Sequence, residues 1–232
     1  MKKSFLTYII IFTFTLLQGQ GNVYIDEPYF GLPERNAEIK EIDSLNQIPS
    51  RIKFIVEQLI DSSMTDFVNN MFFIKGQIID LQNFYLKDSM SQANSKYIMP
   101  KYELYFELRD TSINIKSYCI GIDLDEYGQV TSFQWPREGY DKRSDFVKGN
   151  VLKKIAKTYA NDKHYKTKTC IYDLKFNESM QSLEWHFSFL QETIGNNISH
   201  SEKYKAIAID IKSKKIISEH DIESYSISCG SN

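Results

Sequence analysis

A chain of 232 residues, 42% hydrophobic and 25% charged, has the makeup of an ordinary folded protein with material for one large core or two small ones. Its formal net charge of -2 supplies no basic field to collect counterion-release energy from phosphates, which sets general nucleic-acid binding aside. Fifteen Tyr and fifteen Phe against ten Gly and five Pro favour sheet over helix, because aromatic side chains pack well on a pleated, half-buried surface.

Lys2 and Lys3 precede an apolar run over residues 5–17, after which Gln18, Gly19, Gln20 and Gly21 turn small and polar. A positive segment, an apolar segment and a small-residue zone in that order predict a cleavable signal peptide over residues 1–21. The run is shorter than the roughly 18–20 apolar residues that span a bilayer, and no cysteine follows it to carry a lipid. The expectation is a secreted or periplasmic protein with no stable membrane span once the signal is removed. Export makes Cys119, Cys170 and Cys229 candidates for a bridge, although an odd number cannot all pair within one chain. Cys119 and Cys170 fall in predicted strands, where a thiol behaves as a small hydrophobe. Cys229, in a polar tail, is the candidate free or intermolecular thiol. Their spacing fits no zinc motif.

The rest divides at 138/139 into two predicted modules, residues 22–138 and 139–232. In the first, Pro33 opens a predicted helix to Leu45, with Ile39, Ile42 and Leu45 on one stripe. A stronger helix begins at Pro49 and Ser50, where Ile52, Ile55, Val56, Leu59 and Ile60 recur at helical spacing. Residues 67–81 read as a long strand with a bulge or bend at Gly76. Residues 83–100 read as a polar loop, with a short strand through Phe84 and Leu86 as the alternative. Residues 101–109 alternate, Tyr102, Leu104, Phe106 and Leu108 facing inward and Glu103, Tyr105, Glu107 and Arg109 outward. Residues 118–124 repeat the alternation and return through a turn at 125–128 into residues 130–135. Asp123, Asp125 and Gly128 imitate the start of a calcium loop, but Tyr127 and Gln134 stand where oxygen donors belong, so a β-hairpin is expected instead. Pro136 and the charged residues 137–143 form the predicted linker.

In the second module Ser144 or Asp145 can cap a helix running to about Ala160, with Val147, Val151, Leu152, Ile155, Ala156 and Tyr159 on its apolar side. Lys153, Lys154 and Lys157 are assigned to the solvated face. A strand over 169–176, a turn at 177–180 and the alternation of Leu183, Trp185, Phe187 and Phe189 follow. A loop over 193–203, a strand over 204–211 and a turn at 212–215 lead into Ile216 and Ile217, and residues 220–227 could add an edge strand. Leu152-Lys-Lys-Ile-Ala156, Ser182-Leu-Glu-Trp-His-Phe187 and Ala208-Ile-Asp-Ile-Lys-Ser-Lys-Lys-Ile216 together resemble the PepSY domain family, over roughly the last third of the chain. The family hairpin usually carries a glycine in its turn, where this chain has Lys214; the first half keeps Gly128. The resemblance implies an α+β protein of two helix-on-antiparallel-sheet modules in tandem, PepSY or cystatin-like, and an exported accessory role, in some relatives the restraint of peptidases. No catalytic residues are associated with such domains.

Four histidines, His164, His186, His200 and His220, are scattered along the second half. Glu184 and His186 share the polar face of a strand, and the alternation predicts them to be solvent-exposed rather than an acid–base pair. No metalloprotease, serine-hydrolase, phosphate-loop or dinucleotide motif occurs, so no catalytic, cofactor-binding or metal residue is assigned and no cofactor is expected. The leading expectation is a non-enzymatic exported protein that binds a protein or peptide partner through a sheet face or edge, with Tyr105 among its outward aromatics. The alternatives are a ligand-binding or hydrolytic domain with a site between helix and sheet, and a structural envelope component.

Overall fold

A computed structural model of the chain describes residues 38–87, 99–195 and 199–227. The proposed signal segment, the stretch around Ser95 and Cys229 lie outside those residues. The fold is α+β. Strands β1 (Ile39–Ile42), β2 (Met71–Ile79), β3 (Tyr102–Asp110), β4 (Ile115–Leu124) and β5 (Val130–Phe133) form one antiparallel sheet in that order. Strands β6 (Cys170–Asn177), β7 (Ser182–Gly195), β8 (Ser199–Asp210) and β9 (Ile216–Ile227) form a second, again in chain order. Helix α1 (Ser50–Ser63) precedes β2, the short α2 (Leu81–Lys87) lies between β2 and β3, and α3 (Gly149–Asp162) precedes β6.

Helix α1 follows its apolar stripe: Ile52, Val56 and Ile60 are buried against Tyr102, Leu104, Phe106, Ile122 and Leu124 of β3 and β4. Each such burial contributes about 1.5–3 kcal/mol. Of the helix expected over 33–45, residues 33–37 lie outside the described residues, and 38–45 are not α-helical. Residues 39–42 instead pair with β2, Ile39 opposite Ile79 and Ile42 opposite Gly76, and residues 45–47 form a 3-10 turn closed by a capping box between Ser44 and Gln47. A short isolated helix is marginal in water, whereas the β2 edge supplies hydrogen-bond partners and a core for Ile42. The long strand expected over 67–81 is shorter, because residues 65–70 turn as a 3-10 helix and carry Phe67 into the interior. The irregularity in β2 falls between Phe73 and Lys75, next to Gly76 rather than on it. Gly76 serves close approach instead: a Cβ there would stand 2.8 Å from the Glu103 carbonyl oxygen. Residues 81–87 are helical, neither loop nor strand, since Asp80 caps them by accepting from Asn83 N at 3.0 Å and Phe84 is buried beneath.

Helix α3 starts at Gly149, later than the caps Ser144 and Asp145 imply; residues 143–145 form a separate 3-10 turn, and Val147 N is bonded to Ile211 O. Leu152, Ala156 and Ala160 line its buried face. Gly149 lets the first turn meet Trp185, whose Cζ2 would lie 3.2 Å from an added Cβ. Leu183, Trp185, Phe187 and Phe189 are fully buried, as their alternation predicts. The expected loop over 193–203 is largely strand, because Glu192, Thr193 and Ile194 continue the ladder with Lys203, Glu202 and Ser201.

A single apolar cluster receives side chains from both sheets. Leu108, Ile113, Ile115, Ile120 and Trp135 from the first half pack in it with Leu152, Ala156, Trp185, Phe187 and Ile207 from the second. Residues 134–148, between β5 and α3, are tied to both sides. Arg143 donates from Nε to Asp110 Oδ2 at 2.5 Å and from Nη2 to Asp66 O at 2.8 Å and Asn70 Oδ1 at 3.1 Å. Tyr140 donates to Asp210 Oδ2 at 3.3 Å.

Candidate functional site

The outward face of the first sheet is built from β2, β3 and β4. Register sets Gln77 beside Glu103 and Glu103 beside Asp123 in one row, and Glu107 beside Cys119 in another. These residues lie opposite the core, as the alternation in β3 predicts, but Tyr105 and Glu107 are only 6% and 7% exposed. Tyr105 is therefore not the outward aromatic expected of a binding surface. Buried polar groups need partners, and here they have them: Gln77 donates to Glu103, and both Arg109 and Ser117 donate to Glu107. Burial pushes the Glu107 carboxyl up, yet the hydrogen bonds from Arg109 and Ser117 outweigh it and hold the group below the usual range. Asp123 has no such relief. Burial first, and then the charge of Glu103, push it up to about 7, and burial also raises Glu103 against the opposing bond from Gln77.

The turn after β4 is a hairpin. Asp125 Oδ1 accepts from Tyr127 N at 2.9 Å and Gln129 N at 2.7 Å, and Gly128 takes φ +87°, so Asp125 is occupied by turn backbone. The β8–β9 turn uses the same device: Asp210 Oδ1 accepts from Lys212 N at 3.2 Å and Ser213 N at 2.5 Å, and Lys214 takes the positive φ of 61° at the place the glycine would hold.

Glu184 and His186 are not the exposed pair that alternation predicts. Glu184 is 4% exposed and accepts from Asn177 Nδ2 at 2.7 Å and Ser182 Oγ at 3.3 Å, while His186 Nε2 lies 3.3 Å from Glu184 Oε2. Burial holds the His186 imidazole below its usual value despite Asp173 and Glu184 nearby. The ring of His220 stands 6.1 Å from that of His186, and His164 occupies a positive-φ turn after α3. The His200 side chain lies outside the described residues. Among the described residues no group of three His, Cys, Asp or Glu side chains could hold a metal ion, and no helix is long and apolar enough to cross a membrane. Cys119 and Cys170 are both half-buried and not disulfide-bonded, and burial pushes the Cys170 thiol up to about 11. On α3, Lys154 and Lys157 are exposed as expected, but Lys153 lies over the Tyr172 ring at 4.6 Å.

The remaining feature is an edge. Strand β9 is 12 residues long, ends its sheet, and among the described residues pairs only with β8. Ser218, Glu219, His220, Asp221, Ile222 and Glu223 along it are exposed. Every second residue of an antiparallel edge strand turns its N–H and C=O away from the ladder, so β9 offers a row of backbone donors and acceptors. The sequence marks this strand only as a remainder after Ile217, because its residues carry little apolar alternation; the signal it does hold is the period-2 spacing of Glu219, Asp221 and Glu223. Compared with known protein families, curated proteins and solved structures, the chain matches none.

Proposed function

We propose that the chain is an exported, non-enzymatic binding protein that takes a protein or peptide partner by adding a strand to its second sheet. The observation that carries this reading is the β9 edge, open among the described residues, since main-chain hydrogen bonds to an exposed edge are a general mode of peptide capture. In each half a 14-residue helix precedes four strands in sequential order, the first half adding β1 before its helix and α2 between β2 and β3, which supports reading the two as PepSY-like modules in tandem. Residues 1–21 support export through their charge and apolar pattern.

The test is recovery of partners by the full chain from the exported fraction, followed by amide exchange on the complex. Slowed exchange across residues 216–227 is the expected result; recovery as an unpartnered monomer, or protection elsewhere with β9 unchanged, counts against it. One observation favours a second reading, a ligand-binding or hydrolytic domain: Asp123, raised to about 7 beside Glu103, could hold or release a proton at neutral pH. That pair lies on the outer face of the first sheet, away from the helix-to-sheet interior where such a site was expected.

A further inference from the structure

The charge pattern across the second sheet is arranged in rows that stop at β9. Glu192, Lys203 and Glu223 are neighbours across β7, β8 and β9, and Phe189, Lys205 and Asp221 form the adjacent row on the same face. Lys203 Nζ lies 3.3 Å from Glu192 Oε2, and Lys205 Nζ lies 2.6 Å from Asp221 Oδ1. The next row, through Phe187 and Ile207, ends on Glu219. Three successive rows thus finish in a carboxylate at the open edge.

Glu219 is engaged within the fold, accepting from Tyr159 Oη at 2.7 Å and from Tyr165 Oη. Asp221, paired with Lys205 but with a side chain 73% exposed, and the exposed Glu223 are presented outward. Like charges directly opposite one another destabilise a strand pair, and opposite charges stabilise it. A second copy of β9 laid antiparallel on the first would bring this acidic strand against itself. The other face of β9 presents Ser218, His220, Ile222 and Ser224, small or modest residues that suit β-branched neighbours.

Resting on the strand-addition reading above, we infer that the occupant of the β9 edge is an extended cationic segment of another protein, its basic residues spaced two apart opposite Asp221 and Glu223 and its intervening residues small or β-branched. The sheet then continues its alternation of charge through one more strand, and the same carboxylates keep two copies of the chain from pairing.

The probe is a synthetic peptide alternating lysine with threonine, compared with peptides of the same length alternating glutamate or serine with threonine, each added to the full chain. The lysine peptide is expected to slow amide exchange in β9 and to bind more weakly as salt is raised. Binding is expected to fall at least tenfold in the double variant Asp221→Asn, Glu223→Gln, whose unliganded β9 exchange verifies that the strand is intact. Should the double variant be disordered, the salt dependence of the native chain decides. Equal protection by the serine or glutamate peptide, or undiminished binding of the lysine peptide to a folded double variant, overturns the cationic occupant and leaves strand addition standing. Failure of every peptide to alter β9 exchange, or protection of β9 by self-association as the chain is concentrated, overturns both.

Discussion

Asp123 and Glu103 face each other across β3 and β4, two carboxyl groups withdrawn from water and each raised by burial. A carboxyl raised from 3.8 to about 7 retains its proton in the folded chain at pH values where the unfolded chain has lost it. Its contribution to stability is therefore complete below the unfolded value near 3.8 and is lost as pH rises through about 7. Asp123→Asn, which cannot ionise, is expected to stabilise the chain at pH 8 by roughly 1–3 kcal/mol and to change little at pH 4. Urea unfolding of both proteins at the two pH values measures it; a variant no more stable than the native chain at pH 8 would show that neither burial nor Glu103 penalises the ionised Asp123. Alternation along β3 is enough to place Glu103, Tyr105 and Glu107 opposite the core. It does not tell that Tyr105 and Glu107 are buried, because a period of two assigns a face and says nothing of what covers it. The same holds in β7, where Glu184 is buried and bonded by Asn177 and Ser182, and His186 is half-buried beside it.

At the scale of elements, the stretch between β5 and α3 shows how a charged segment becomes structural. Composition marks residues 137–143 as a connector; the fold uses Arg143 there to bind Asp110, Asp66 and Asn70 while its guanidinium stands 5.4 Å from the Phe67 ring. The Asp110 side chain is 4% exposed, and burial alone would raise its carboxyl, but Ser112 and Arg143 hold it below the usual range. Removing the arginine leaves a buried carboxylate short of its cation. Because the Arg143 side chain is itself 37% exposed, the expected cost of Arg143→Ala is about 2–3 kcal/mol, below the roughly 3–5 kcal/mol of a fully buried pair. Arg143→Lys should recover only part of that, since an ammonium lacks the fork that reaches Asp110, Asp66 and Asn70 together. Denaturant midpoints for the native chain and the two variants check both statements, and a lysine variant with the native midpoint would mean the fork contributes nothing. The extents of α1 and of β3 are readable in the sequence because their apolar residues recur at 3.6 and 2 residues. Strand β1 and helix α2 are not, because the first depends on pairing with β2 and the second on Asp80 and a pocket for Phe84.

For the whole molecule the decisive feature is the cluster shared by the two sheets. Ile113, Ile115 and Trp135 share it with Trp185 and Leu152, so cutting the chain between β5 and α3 would expose apolar surface on both sides. The full chain is expected to unfold in one cooperative transition, and residues 139–232 expressed alone are expected to lack a sharp one. Near-ultraviolet dichroism during heating, from Trp135 and Trp185 in the full chain and from Trp185 in the fragment, reports on both; a fragment melting as sharply as the parent would show that the second half holds its own core.

By itself the sequence determined the fold class, both long helices, the inward rows of β3 and β7 and the two hairpin turns, since each is written in local spacing or in the chemistry of one turn. Tertiary structure alone decided which polar residues are buried, which strand is left at an edge, and that Leu108 and Trp135 meet Trp185 in one interior. Those outcomes depend on contacts between segments far apart in the chain, and periodicity within a segment carries no information about the surface that will come to rest against it.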